Sequence, residues 1–201
     1  MLVFNSRINI ENCEDKMSKV VFAVGRFNPP TKGHKLLIDT VLEKAREHKA
    51  DAYIFTTRSQ DAKKNPLNVE QKLHYLRQFF PGVKFLDTQN PYIAAQTLGE
   101  WGYDHGIMVA GGDRAQTFKE MIRSGIAHKG DPLRWIPLES IEMVTLERDP
   151  DADDVSGLSA TKAREAAKEN DFERFSEIVP EASEQVKQNL FNDVREGLKI
   201  K

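Results

Sequence analysis

Short apolar runs alternate with stretches of helical periodicity along the first 120 residues, and few folds accommodate that alternation. Val20 to Val24 reads as a short buried strand, and Leu36, Leu37, Val41, Leu42 and Ala45 follow at the spacing of a helix over about 34–48. Asp51 to Thr57, rich in aromatic and β-branched residues, predicts a second strand. Val69, Leu73, Leu76 and Phe80 form a helical stripe ended by Pro81-Gly82, and Val83 to Leu86 predicts a third strand. Tyr92 to Trp101 is a helix closed by Gly102, and Ile107 to Ala110 a fourth strand leading into a helix that runs to about Arg123. Strands separated by helices must run parallel, with helices covering both faces and right-handed crossovers. The expectation is an α/β, doubly wound, mostly parallel Rossmann-like sheet. Ile141 to Leu146 adds a fifth strand, and Phe172 to Lys201 predicts two helices on the edge of the sheet, a small C-terminal helical appendage. Residues 1–18 read as a flexible N-terminal extension, 19–170 as the main domain and 171–201 as helices packed on it.

Ligands of such sheets sit beyond the carboxyl ends of the strands. The first turn at that edge is Gly25-Arg26-Phe27-Asn28-Pro29-Pro30-Thr31-Lys32-Gly33-His34. Two prolines stiffen it, glycines permit close backbone approach, and Thr31 and His34 stand where a new helix still has unpaired N–H groups. Such a turn favours anions, although it lacks the Gly-Lys-Ser/Thr of a Walker loop. The plainer reading is a proline-rich helix cap. A second turn, Gly111-Gly112-Asp113, follows the fourth strand, where Asp113 either accepts hydrogen bonds from a ribose or base amine or caps the next helix. Lys63 and Lys64, in a polar loop between the second strand and Asn65-Pro66, either neutralise phosphate or stay solvated. Trp135 reads as a core residue.

Composition limits what such a site serves. The 201 residues carry a formal charge of −2, which gives no bulk attraction to nucleic acid or anionic lipid, so phosphate recognition must be local. A single cysteine, Cys13, excludes an internal disulfide and a multi-cysteine zinc site, and the five histidines form no HExxH pair. No apolar run reaches membrane-spanning length, and the first 16 residues lack the apolar core of a secretion signal, so a cytoplasmic protein is expected. Asp149 to Asp154 does not fit a calcium loop, because Asp154 and Ala160 stand where a glycine and a closing glutamate belong, and it reads as a solvated acidic loop. Lys16-Met17-Ser18-Lys19 spells a signature of class I aminoacyl-tRNA synthetases, but it precedes the turn that such a loop follows and is read as coincidence.

Late in the domain, Gly157-Leu158-Ser159-Ala160-Thr161-Lys162-Ala163-Arg164 opens a further helix, with Ser159 as N-cap and Arg164 one and a half turns on. Hydroxyls, free amides and a guanidinium able to bind two phosphate oxygens thus gather at another positive helix end. Thr31-x-Gly33-His34 after the first strand, with Leu158-Ser159-x-Thr161-x-x-Arg164 downstream, resembles the nucleotidyltransferase family of cytidylyltransferase-like fold, marked by (T/H)xGH and ISxTxxR segments. The Gly25-Arg26-Phe27 opening looks closest to members that adenylylate nicotinamide mononucleotide.

The resemblance implies an enzyme that moves a nucleoside monophosphate, AMP from ATP by preference, to a small phosphorylated acceptor and releases pyrophosphate. Mg²⁺ accompanies the triphosphate. His34 and Thr31 would contact the α- and β-phosphates, and Ser159, Thr161 and Arg164 the β- and γ-phosphates. Gly25, Arg26, Phe27 and Gly33 would lie along the nucleotide, with Gly111 and Asp113 at a second nucleotide-contacting turn. A cytidylyltransferase using CTP and a nucleotide-binding regulator without turnover are the alternatives, and a nucleic-acid partner is not favoured by the charge. Family members acting on phosphopantetheine or glycerol phosphate are commonly oligomeric, so a homo-oligomer is an open expectation.

Overall fold

Four successive residues of the first strand, Val20 to Ala23, are fully buried, which requires apolar cover on both faces of the sheet. A computed structural model describes residues 18–146 and 158–199 of the chain. The acidic segment 149–154, Cys13 and the Lys16–Met17 pair lie outside the described residues. Within them, β1 (Lys19–Gly25), β2 (Asp51–Thr57), β3 (Phe85–Thr88), β4 (His105–Gly111) and β5 (Ser140–Leu146) form one sheet in the order β3-β2-β1-β4-β5. Every pairing is parallel, and the strand order reverses between β1 and β4. That reversal is where an open α/β sheet leaves a crevice.

The helices divide between the faces. Val21 and Ala23 of β1 point into a core shared with α1 (Lys32–His48) and α2 (Val69–Phe79). Val20 and Phe22 point the other way, against α3 (Pro91–Glu100) and α4 (Gly112–Ala127). This two-sided burial is the physical origin of the uninterrupted apolar runs. The third strand lies two residues later than its apolar run predicts. Pro81-Gly82 delays it, and the polar Asp87 and Thr88 are extended because they pair with Thr56 and Thr57 of β2. Hydrophobicity marks what a strand buries, and backbone pairing carries it further.

After β5 the chain returns to the α1 face through α5 (Ala160–Lys168), α6 (Phe172–Ile178) and α7 (Glu184–Gly197). The last two helices were expected on the edge of the sheet, but their main neighbours are other helices, α5 and α2. Phe172 and Phe175 meet the ring of Phe191 edge-on at 5.5 and 5.2 Å, and Tyr75 of α2 donates to Asp193 of α7 at 2.6 Å. The connection between α6 and α7 also reaches the first turn. Glu181 takes Lys32 on one carboxylate oxygen at 2.8 Å and Lys187 on the other at 3.1 Å. Among the described residues no helix is long and apolar enough to cross a membrane.

Candidate active site

The turn after β1 folds a ring over its own start. Phe27 has a φ of +45°, in the left-handed region that a bulky residue seldom adopts, and its side chain is fully buried. A Cβ at position 25 would sit 2.6 Å from the Phe27 ring, so glycine there makes room for it. The Phe27 ring lies 4.8 Å from that of His34 and fixes one side of the imidazole. Thr31 caps α1, and its N–H donates to His34 Nδ1 at 3.0 Å, with its own Oγ1 also 3.0 Å from that nitrogen. Because Nδ1 accepts, the proton of a neutral ring resides on Nε2, which becomes the donor. Thr31 is only 1% exposed and lines the cleft with its hydroxyl against the imidazole of His34. The Asn28–Pro29 peptide is cis.

Asn28 joins this turn to two distant parts of the chain. Its side chain is buried, donating to the carbonyl of Leu67 and accepting from the Leu67 N–H, both at 2.9 Å. Its own carbonyl accepts from Arg164 Nη1 at 2.8 Å, while Arg164 Nη2 donates to Thr161 at 3.0 Å. Ser159 caps α5 by accepting from the Lys162 N–H at 3.3 Å. The guanidinium of Arg164 is held below its ordinary range, first by burial and then by the neighbouring Arg26 cation, with Asp61 opposing. An anion bound beside both residues would relieve that like-charge effect.

The second glycine turn opens α4 with Gly111 as N-cap, which leaves Asp113 inside the first turn of the helix and removes it from the cap position. Gly111, Arg114 and Phe118 face the same cleft as the first turn.

The third wall is the segment between β2 and α2. Asp61 accepts from the N–H groups of Lys63 and Lys64 at 2.8 and 2.7 Å and from the amide of Asn65. The Lys64 N–H, then the Asn65 amide, then the Lys63 N–H hold its carboxyl far below the usual carboxylate range. This turn separates the two lysines, for Lys64 lines the cleft and Lys63 does not. The Oδ1 of Asn65 is a buried side-chain atom with no hydrogen-bond partner among the described residues. Behind the wall, the ammonium of Lys72, fully buried on α2, donates to the carbonyls of Thr57 and Ser59.

Burial pushes Lys72 down to about 8 from its ordinary 10.5. The unfolded chain therefore binds more protons between those two values, and folding stability gains from this group as pH rises through that window. Lys72→Met should remove the gain. Urea unfolding of both proteins at pH 7.5 and 9.5 checks it, with wild type expected to gain relative to the variant and a parallel pair of curves refuting it.

These walls enclose an open cleft of about 250 Å³ at the β1/β4 switch point, lined by both Gly25-Arg26-Phe27 and Ser159-Ala160-Thr161. His34 and Arg164, 130 residues apart in sequence, line it together. The N-terminal ends of α1, α4 and α5 contribute Gly33, Gly111 and Ser159 to its lining. Arg26, Lys64 and Arg164 bring cationic side chains to the described lining of the cleft, beside the three helix N-terminal ends, a combination suited to an anion. Leu36, 45% exposed on α1, gives the cleft an apolar patch. Among the described residues no group of three or more His, Cys, Asp or Glu could hold a metal ion. Trp135 does not line the cleft, because it stands in the segment entering β5, at the opposite edge of the parallel sheet.

Among the polar lining residues, Asn28, Asn65 and Arg114 are those to which the sequence assigned no role. Only Asn28 carried a signal, a polar side chain held inside a rigid proline turn.

A family model described as cytidylyltransferase-like matches residues 22–166. No curated protein matches the chain. Among solved structures, a Plasmodium falciparum nicotinic acid mononucleotide adenylyltransferase complexed with NaAD shares 14% identity at a TM-score of 0.54, over 87% of this chain and 98% of that one. A bifunctional NMN adenylyltransferase/ADP ribose pyrophosphatase from Francisella tularensis, complexed with AMP and a manganese ion, shares 13% identity at 0.51, over 90% of this chain and 52% of that one. Thermotoga maritima TmcAL bound with alpha-thio ATP shares 15% identity at 0.52, over 90% and 57%. Likeness at these identities shows a common fold.

Proposed function

The chain belongs to the cytidylyltransferase-like family, and from that premise we propose that it is a nucleotidyltransferase taking Mg·ATP and a small phosphorylated acceptor such as nicotinamide mononucleotide. The observation that carries this reading is the cleft itself, where His34, Arg26, Lys64 and Arg164 meet three helix N-terminal ends at the sheet's switch point. The preference for ATP rests on the Gly25-Arg26-Phe27 opening. It is also supported by neighbours of the same fold whose ligands are adenine nucleotides.

In this mechanism an oxygen of the acceptor's phosphate attacks the α-phosphorus of the triphosphate. The new P–O bond forms as the bond to the bridging oxygen of the β-phosphate breaks, and pyrophosphate carries the electron pair away. His34 Nε2–H donates to oxygens at the α- and β-phosphates, where charge grows in the transition state. Ser159, Thr161 and Arg164 hold the β- and γ-phosphates, and Arg26 and Lys64 balance charge along the chain. Thr31 keeps the His34 proton on the right nitrogen. Mg²⁺ would be brought in by the triphosphate and would supply charge neutralisation at the pyrophosphate. We take 19–170 as the catalytic unit and 171–201 as its support.

Incubating the protein with Mg²⁺, ATP or CTP and a panel of phosphorylated acceptors, and measuring pyrophosphate, tests the proposal. ATP with a mononucleotide acceptor is expected to release it. Release with CTP alone would make the protein a cytidylyltransferase, and tight triphosphate binding without release would make it a binding protein.

Arg164→Lys keeps the charge and loses the fork that reaches Asn28 and Thr161 together. The KM for the triphosphate should rise about tenfold, with a smaller change in kcat.

A further inference from the structure

The wall 58–67 is held in place by groups that do not line the cleft. At its start, Lys72 reaches up from α2 to the carbonyls of Thr57 and Ser59, the latter at 3.4 Å. At its far end, the last turn of α7 passes so close that a Cβ on Gly197 would lie 2.1 Å from the carbonyl oxygen of Pro66. Asp193 and Arg195, four and two residues earlier on α7, tie that helix to Tyr75 of α2 and to the carbonyl of Ala167, so α7 cannot easily withdraw.

Two features of this wall are unfavourable for stability alone. Lys72 buries an ammonium with carbonyl oxygens as partners and is displaced from its ordinary titration by burial. Asn65, 7% exposed in the cleft lining, keeps Oδ1 unpaired. The amide cannot turn over to cure this, because its nitrogen is bonded to the Asp61 carboxylate and an oxygen in that place would be repelled. Buried groups left in such a state call for a reason outside packing, and a ligand supplies one.

We propose that Lys72 and Gly197 are positioning residues that hold the wall 58–67 where Lys64 engages a bound nucleoside triphosphate. Neither touches the ligand. The proposal rests on the nucleotide-binding reading above, and it adds that the cleft's affinity is set from α2 and α7. Lys64 takes phosphate charge, and Asn65, bonded to Asp61 at the base of the turn, keeps Lys64 at the cleft.

The test uses the full chain with Lys72→Met, Lys72→Arg and Gly197→Ala. Amide hydrogen exchange without ligand and calorimetric titration with Mg·ATP and Mg·CTP are measured on each. Faster exchange confined to about 57–67 is expected in Lys72→Met and Gly197→Ala, with the dissociation constant of the preferred triphosphate raised at least tenfold. Lys72→Arg, which keeps the cation, should bind nearly as wild type. The melting temperature of Lys72→Met should not fall in proportion, since the variant also loses a desolvated charge. Unchanged exchange across 57–67, or faster exchange with unchanged affinity, overturns the proposal. A global loss of protection in one variant leaves the decision to the other, which perturbs the wall from a separate element. If wild type binds neither triphosphate, the functional reading falls, and the exchange experiment still decides whether these two residues hold the wall.

Discussion

His34→Ala is expected to lower turnover by about two to three orders of magnitude, the usual cost of losing one donor aimed at charge that develops in the transition state. The fold should survive, because the side chain is half-buried at the mouth of the cleft and its removal leaves Thr31 in place as cap. Circular dichroism and thermal melting close to wild type, beside a kcat reduced in this way, would meet the expectation. A wild-type rate would remove His34 from the chemistry and return Thr31-x-Gly33-His34 to the role of a helix start. The effect should fall on kcat more than on KM, since the Nε2 donor is worth most when the α-phosphorus is between bonds.

Asn28→Ala acts on the frame of the site. The substitution strands the N–H and the carbonyl of Leu67, both of which bond to the Asn28 side chain in a buried place. Each stranded group costs about 1–3 kcal/mol, so a loss of about 2–6 kcal/mol is expected. For a chain of this size that is a drop of roughly 4–24 °C in melting temperature. Asn28→Asp should be no milder. It keeps an acceptor for the Leu67 N–H but turns a second oxygen toward the Leu67 carbonyl. Triphosphate affinity should fall with stability in both variants, because the same bonds join the wall 58–67 to the turn at 25–34. A variant as stable as wild type would show that this link is dispensable.

The fold was legible where burial is two-sided. β1, β2 and β4 announce themselves as apolar runs because their central side chains are covered on one face or the other. β3 was displaced because Asp87 and Thr88 owe their extension to β2. Of the cleft lining, residues carried at their own helix end could be placed from the sequence, as with His34, Ser159, Thr161 and Arg164. Each stands at a fixed offset from a helix start, and that offset is a property of sequence. Asn28 and Asn65 were illegible for the opposite reason. The partner of Asn28 is 39 residues away, and the importance of Asn65 lies in a partner it lacks. Lys63 and Lys64 are alike as letters, and only the Asp61 turn directs one of them to the cleft.

The carboxylate of Glu181, shared between Lys32 and Lys187, bears on how the Thr31-x-Gly33-His34 motif should be read. Lys32 occupies the motif's free letter, next to the imidazole, yet its charge is answered by the junction of α6 and α7 and it does not line the cleft. The identity of that letter is a message from the far end of the chain. In this chain the residue between the threonine and the glycine serves the contact with the C-terminal helices and takes no part in the cleft lining.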